Sequence, residues 1–432
     1  MDIAKLYQIY QKHPIVTTDS RNCPENSVFF ALKGDKFNGN QFASQAISDG
    51  CAYAVIDEPA YLIAGDQRLI LVNDCLKALQ LLANFHRRVL GTKIIGITGT
   101  NGKTTTKELI STVLSQKYQV LCTQGNLNNH IGVPLTLLRL EKQHELAIIE
   151  MGASHPGDIK ELVEIAEPDY GIITNVGKAH LEGFGSFEGV IKTKSEMYDY
   201  LRNKKDSVVF LQHENPYLNA VSSGLNLLFY GSDSSLYVNG KVIGNSPFLV
   251  FEWRKGIDGK YYRTTTQLIG EYNFDNALAA VTIGSYFRVE SEDIVRALEE
   301  YRPQNNRSQL KETAKNQLII DAYNANPTSM MASLQNFRNM QVVNKVIILG
   351  DMKELGEAGP DEHQKIVDFV GGCGFERVML VGEEFGNTCN GFETYKTIED
   401  LVNELRLNEI AGKFVLIKGS NGMKLIQAVE YL

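Results

Sequence analysis

None of the six cysteines in this chain of 432 residues stands in a CxxC spacing, so no zinc site or disulfide framework is legible in it. Cys23, Cys51, Cys75, Cys122, Cys373 and Cys389 are scattered, which fits reduced thiols in a cytosolic protein. No apolar run reaches the roughly 18 residues of a membrane span. The opening stretch MDIAKLYQIYQKHP carries charge inside any apolar segment and does not read as a signal peptide. Positive charge is scarce as well: 43 Lys and Arg face 51 Asp and Glu, a formal net charge of -8. That balance argues against general binding to nucleic acid or an anionic membrane. A polyanionic ligand would need positive charge gathered locally. Internal repeats and low-complexity segments are missing too.

The length suggests about three domains at roughly 150 residues each, and the sequence patterns separate into three α/β zones. The first, 1–91, holds short apolar runs between turn residues and closes on a helical stretch, Asp74–Leu90. The second, 92–309, opens with the strand Lys93–Thr98 and a glycine-rich loop. A helix follows with Leu109, Ile110, Val113 and Leu114 on one face. A strand Leu146–Glu150, a helix Asp158–Ala166 and a strand Tyr170–Thr174 come next. Strand, helix, strand in that order implies a parallel sheet with right-handed crossovers. A β-rich insert is expected at 207–268, before a helix Phe274–Phe287. The third zone, 310–432, alternates strands (Leu318–Asp321, Lys345–Gly350, Arg377–Val381, Phe414–Lys418) with helices, a second doubly wound unit. In such sheets ligands sit at the carboxyl ends of strands, where the polar clusters of this chain fall.

The stretch Ile94–Lys107, IIGITGTNGKTTTK, resembles a phosphate loop yet lacks one residue of the common pattern. That pattern wants glycine at position 97, where Ile97 stands. The context is otherwise complete: an apolar strand enters the loop and an amphipathic helix leaves it. Gly99 and Gly102 allow backbone N–H groups to converge on an anion, and the helix N-terminus adds partial positive charge. Lys103 reaches the β- and γ-phosphates, and the Thr104 hydroxyl stands where Mg²⁺ would sit. The reading is a variant loop, against the blander one of a structural turn. Glu150, ending the strand LAIIE, is a natural Mg²⁺ ligand beside such a loop, unless it is a solvated strand-end charge. His180 follows strand Tyr170–Thr174; a lone histidine is more often a packed or surface residue. Lys194, by spacing alone, looks like one more exposed helix lysine. Asn273 and Asn276 open an apolar helix, where capping is the simple explanation. In DAYNANPTSM, capping accounts for one of Asp321, Asn324 and Asn326, not all three.

Together these motifs resemble the Mur ligases, the ATP-dependent amide-bond-forming family of peptidoglycan synthesis. TGTNGKTT is similar to the family's ATP loop. GNLNNHIGVPLTLL (Gly125–Leu138), IIDAYNANPTSM (Ile319–Met330) and LGDMKELGE (Leu349–Glu357) are similar to the branch that adds D-Ala-D-Ala to UDP-MurNAc-tripeptide. TDSRNCPENSVFFALKG (Thr18–Gly34) resembles a UDP-binding segment. The resemblance implies a central P-loop ATPase domain, an N-terminal UDP-substrate domain and a C-terminal Rossmann-like domain. It implies catalytic roles for Lys103, Glu150, His180, Lys194 and Arg307. ATP would meet Gly99, Thr100, Asn101, Gly102, Lys103, Thr104, Thr105, Asn273, Asn276, Arg307 and Asp321. Mg²⁺ would be held by Thr104, Glu150, His180 and a Lys194 carbamylated by CO₂. Asp19, Ser20 and Arg21 would meet the uridine nucleotide. Asn126, Asn128, Asn129, Asn324 and Asn326 would meet the peptide substrates. A cytoplasmic monomer is implied, with small-molecule partners only. The alternatives are a related ligase with another acceptor, such as a folylpolyglutamate synthase, a P-loop kinase or ATPase, and a non-catalytic nucleotide-binding scaffold.

Overall fold

The computed structural model describes residues 2–304 and 306–432. Three larger sheets follow one another along the chain. The first has four parallel strands in the order Val16–Thr17, Val28–Phe30, Tyr53–Ile56, Leu69–Leu71. The second has nine strands, with Lys93–Thr98 between Tyr170–Ile173 and Leu146–Glu150, and Val120–Cys122 at the edge beyond the latter. The strand-rich stretch expected at 207–268 joins this sheet and extends it. Val208–Gln212, Leu227–Gly231 and Val238–Asn245 continue it in parallel, and Phe248–Lys255 and Tyr262–Ile269 finish it antiparallel. The third sheet has six strands, parallel except for the edge strand Gln309–Glu312.

The loop helix Lys103–Leu114 buries Leu109, Ile110, Val113 and Leu114 completely, worth roughly 1.5–3 kcal/mol for each such side chain. The Ala-rich helix Phe274–Tyr286 packs on it and is buried on nearly all sides. This fixes Asn276 beside the phosphate loop. Helix Cys75–Leu90 starts where Asp74 accepts from the Lys77 N–H at 2.8 Å and stops at Gly91, left-handed at φ 69°. Its apolar face shares one core with the central sheet's helices, including Leu79, Leu82, Leu137 and Leu162. Arg87 adds an ion pair to Glu167 at 3.1 Å. No described helix is long and apolar enough to cross a membrane.

Candidate functional site

The loop explains its missing glycine. Ile97 is fully buried inside the strand, and its carbonyl accepts from Met151 N–H at 2.8 Å. The chain leaves the sheet only at Gly99, whose φ is 144°. A Cβ there would lie 1.9 Å from Thr174 Oγ1, so the tight approach falls on Gly99. The next strand end cradles the loop. Thr100 N–H donates to the Asn175 carbonyl at 2.9 Å, and Asn101 N–H donates to Asn175 Oδ1 at 2.9 Å. Thr174 Oγ1 donates to the Asn101 carbonyl at 2.6 Å. Gly102, at φ 76°, starts the helix without a side-chain cap. The first-turn N–H groups therefore keep their capacity for an anion.

Charged groups converge on this loop. Lys103 folds back over it, donating to the carbonyls of Gly99 at 2.8 Å and Thr100 at 3.0 Å. Burial pulls its ammonium below the usual lysine range, and nearby Arg307 adds to that while Glu150 opposes it. Lys194 is 2% exposed, not a surface lysine as its spacing suggested. It lies on the inner face of helix Phe187–Arg202, its Nζ 5.5 Å from the centre of the Phe184 ring. Burial and then Lys103 bring it down to about 7. His180 sits at φ 50° and pairs through Nδ1 with Glu354 of the third sheet's unit. Burial lowers its pKa; Glu354 opposes the fall, and Lys103 and Lys194 add to it. Arg307 stacks its guanidinium 3.8 Å from the Tyr323 ring centre, and its Nε is buried with no hydrogen-bond partner among the described residues. Lys103 and Arg307, so placed in a net acidic chain, make a locally positive field suited to phosphates.

Glu150 is 1% exposed. It accepts from Thr104 Oγ1 at 3.0 and 3.2 Å and from Asn128 Nδ2 at 3.0 Å. A carboxylate and a hydroxyl side by side are the hard oxygen donors that Mg²⁺ takes. Mg²⁺ is usually held by one or two carboxylates with waters and phosphate oxygens, not by a full protein cage. No cluster of three or more His, Cys, Asp or Glu fit to hold a metal occurs among the described residues.

A cavity of about 790 Å³ joins these groups. Its lining includes Thr100, Asn101, Gly102, Lys103, Thr104, Thr105, Glu150, His180, Asn273, Asn276, Arg307 and Asp321, with Asn128, Asn129 and Asn324. Asn273 occupies the N-cap position of its helix without a capping bond. It donates to the Ile269 carbonyl at 2.8 Å and accepts from Asn276 at 2.9 Å. Asp321 receives Lys418 Nζ at 2.5 Å across adjacent strand ends. Asn326 does cap its helix, accepting from Ser329 N–H at 2.9 Å. Gly99, Lys194, Asn126 and Asn326 lie outside the cavity lining. So do Asp19, Ser20 and Arg21, which form a turn in the first unit, Arg21 paired to Asp19 at 2.9 Å.

Sequence reasoning missed Asn175, although its place just past a strand's carboxyl end was a signal. It also missed Tyr323, for which no sequence signal exists. The interdomain pairs escaped it as well: Lys178 with Glu362 at 3.0 Å, and His180 with Glu354.

Family models match along the chain: the Mur ligase family catalytic domain at 13–87, the Mur ligase middle domain at 97–284 and the Mur ligase glutamate ligase domain at 306–421. The UDP-N-acetylmuramoyl-tripeptide--D-alanyl-D-alanine ligase of Bacillus subtilis is 35% identical over 96% of this chain and 92% of its own length. The Escherichia coli protein of the same name is 31% identical, over 96% and 93%. A crystal structure of MurF from Acinetobacter baumannii superposes with a TM-score of 0.88 at 28% identity, covering 99% of this chain and 97% of that one. MurF from Thermotoga maritima in complex with ADP gives 0.85 at 26%, covering 96% of each.

Proposed function

The chain belongs to the Mur ligase family of ATP-dependent ligases, and from that premise we propose that it joins D-alanyl-D-alanine to UDP-MurNAc-tripeptide in peptidoglycan precursor synthesis. The observation that carries this reading is the convergence of Lys103, Glu150 and Thr104 with Arg307, Asp321 and Asn324 on one cavity. The first group comes from the central sheet and the second from the segment leading into and through the third sheet.

ATP lies with its phosphates on the loop N–H groups and Lys103. Thr104, Glu150 and His180 would hold Mg²⁺, which would supply charge neutralisation on the phosphate oxygens. The neutral amine of Lys194 attacks CO₂ and releases a proton, giving a carbamate anion beside that site. The tripeptide's terminal carboxylate attacks the γ-phosphorus and ADP leaves. Lys103 and Arg307 stabilise the charge spread over the transferring group. Tyr323 holds Arg307 in a fixed plane, which lowers the entropy of that contact. The acyl phosphate is then attacked by the amine of D-Ala-D-Ala, forming the amide and expelling phosphate. The third unit's approach to the loop keeps water from the acyl phosphate. Asp19, Ser20 and Arg21 take the uridine nucleotide, and Asn126, Asn128, Asn129, Asn324 and Asn326 the peptide parts. Asn273 and Asn276 take the adenine. The enzyme acts in the cytoplasm on small molecules, as three units divided near residues 91 and 309.

The test is phosphate release from ATP with UDP-MurNAc-tripeptide, with and without D-Ala-D-Ala, and mass analysis of the product. Release that needs both substrates and yields the pentapeptide mass supports the reading. ATP turnover without pentapeptide contradicts the acceptor assignment.

A further inference from the structure

Lys107 lies one turn beyond Thr104 on the loop helix and is 2% exposed. Lysine is almost never buried this deeply without a partner. Its ammonium donates to the Thr123 carbonyl at 2.7 Å. It stands 4.0 Å from Glu150 Oε2 and 3.8 Å from Glu108 Oε1. The two carboxylates differ in their access to water: the Glu108 side chain is 23% exposed and that of Glu150 only 2%. Glu108 also receives the Tyr301 hydroxyl at 2.5 Å. A carboxylate sealed from water needs a compensating charge more than one that reaches it.

The surroundings of Glu150 are two-sided. It lines the cavity, as do Thr104 and Asn128, which donate to it, whereas Lys107 does not line the cavity. The lysine therefore approaches from the protein side. Thr123 ties the two together, because its carbonyl takes the Lys107 ammonium while its hydroxyl accepts the Glu150 N–H at 2.9 Å.

We propose that Lys107 is a positioning residue, the resident counter-ion of Glu150. It holds the carboxylate compensated and aimed while nucleotide and metal are absent, and it shares the carboxylate with the metal once they arrive. This rests on Glu150 being the metal carboxylate. Two cations on one carboxylate repel each other, so the lysine also weakens binding of a metal that comes without phosphates. The site stays folded when empty and fills with nucleotide and metal together.

Lys107→Met separates this role from a purely structural staple. Melting is followed without ligand and with Mg²⁺–ADP, and Mn²⁺ binding without nucleotide is followed by electron paramagnetic resonance. The expected result is a ligand-free melting temperature several degrees lower, largely regained with Mg²⁺–ADP. Mn²⁺ binding tightens by about tenfold as the competing charge is removed. Adding Glu150→Gln restores ligand-free melting, since a neutral amide needs no counter-ion. An equal melting loss in both states, with Mn²⁺ binding unchanged or weaker, overturns the proposal. If Lys107→Met alone does not fold, folding of Lys107→Met/Glu150→Gln supports the proposal, and failure of both overturns it. If Mg²⁺–ADP does not stabilise the unaltered protein, the metal reading of Glu150 falls instead, and the double variant alone decides whether Lys107 is its counter-ion.

Discussion

Asn101 and Asn326, 225 positions apart, clasp each other through their side-chain amides, with Nδ2-to-Oδ1 distances of 2.8 and 3.5 Å. One sits in the phosphate loop. The other caps the helix Pro327–Asn339 of the C-terminal unit. Beside them, Lys178 N–H donates to Thr328 Oγ1 at 3.2 Å. The candidate phosphate loop is thus hydrogen-bonded directly to the unit that brings Asp321 and Asn324 to the cavity. Asn326→Ser keeps a good cap but is too short to reach Asn101. Steady-state ligation should show kcat/KM lowered by about tenfold through lost alignment, with the melting temperature unchanged. An unchanged kcat/KM would make the clasp incidental.

Lys103→Ala removes the charge that folds over the loop. Turnover should fall by at least about 10³-fold, in line with the loss of one preorganised charge at a transferring group. Calorimetric affinity for the UDP-substrate should stay within about twofold, because the Asp19–Arg21 turn lies outside the cavity. Equal loss of both would contradict this division of labour.

Lys194 carries a pH signature. Burial holds its amine at about 7 in the folded chain, whereas an unfolded chain keeps the proton to about 10.4. Between those values the unfolded state binds more protons, so stability rises with pH. In CO₂-free buffer, Lys194→Met should therefore melt higher than the unaltered protein at neutral pH. The gap should close as pH approaches about 10. Lys194→Ala should be inactive and partly rescued by acetate, which returns an anion to the site. A melting gap independent of pH, or no rescue, would count against these roles.

Gly102→Ala places a side chain at φ 76° with its Cβ 2.5 Å from Asn276 Oδ1. The backbone strain alone is of order 1–3 kcal/mol. Nucleotide affinity should fall by about tenfold or more, and melting should drop with it. Wild-type ADP affinity in this variant would show that the loop's shape is not what binds phosphate.

The parallel strands and their helices were legible because periodicity and turn residues report local structure. Lys93–Thr98, Leu146–Glu150 and Phe414–Lys418 run as the pattern predicts. The loop was legible from Gly99 to Thr104 because its chemistry is contiguous. Spacing misplaces Lys194, since a helix face says nothing about which neighbour covers it; here the Phe184 ring lies over its ammonium. The Asn101–Asn326 clasp and the Arg307–Tyr323 stack join residues with no periodic relation. The junction of strands 207–268 with the central sheet depends on edge pairing, which composition does not encode.

In the proposed reaction the tripeptide carboxylate takes the γ-phosphoryl group before the amide forms. Tripeptide labelled with heavy oxygen in that carboxylate tests it in one turnover. An acyl phosphate carries one labelled oxygen into the released phosphate, so mass analysis should find one heavy atom per phosphate and the other retained in the amide. Unlabelled phosphate, with pentapeptide formed, would contradict the mechanism.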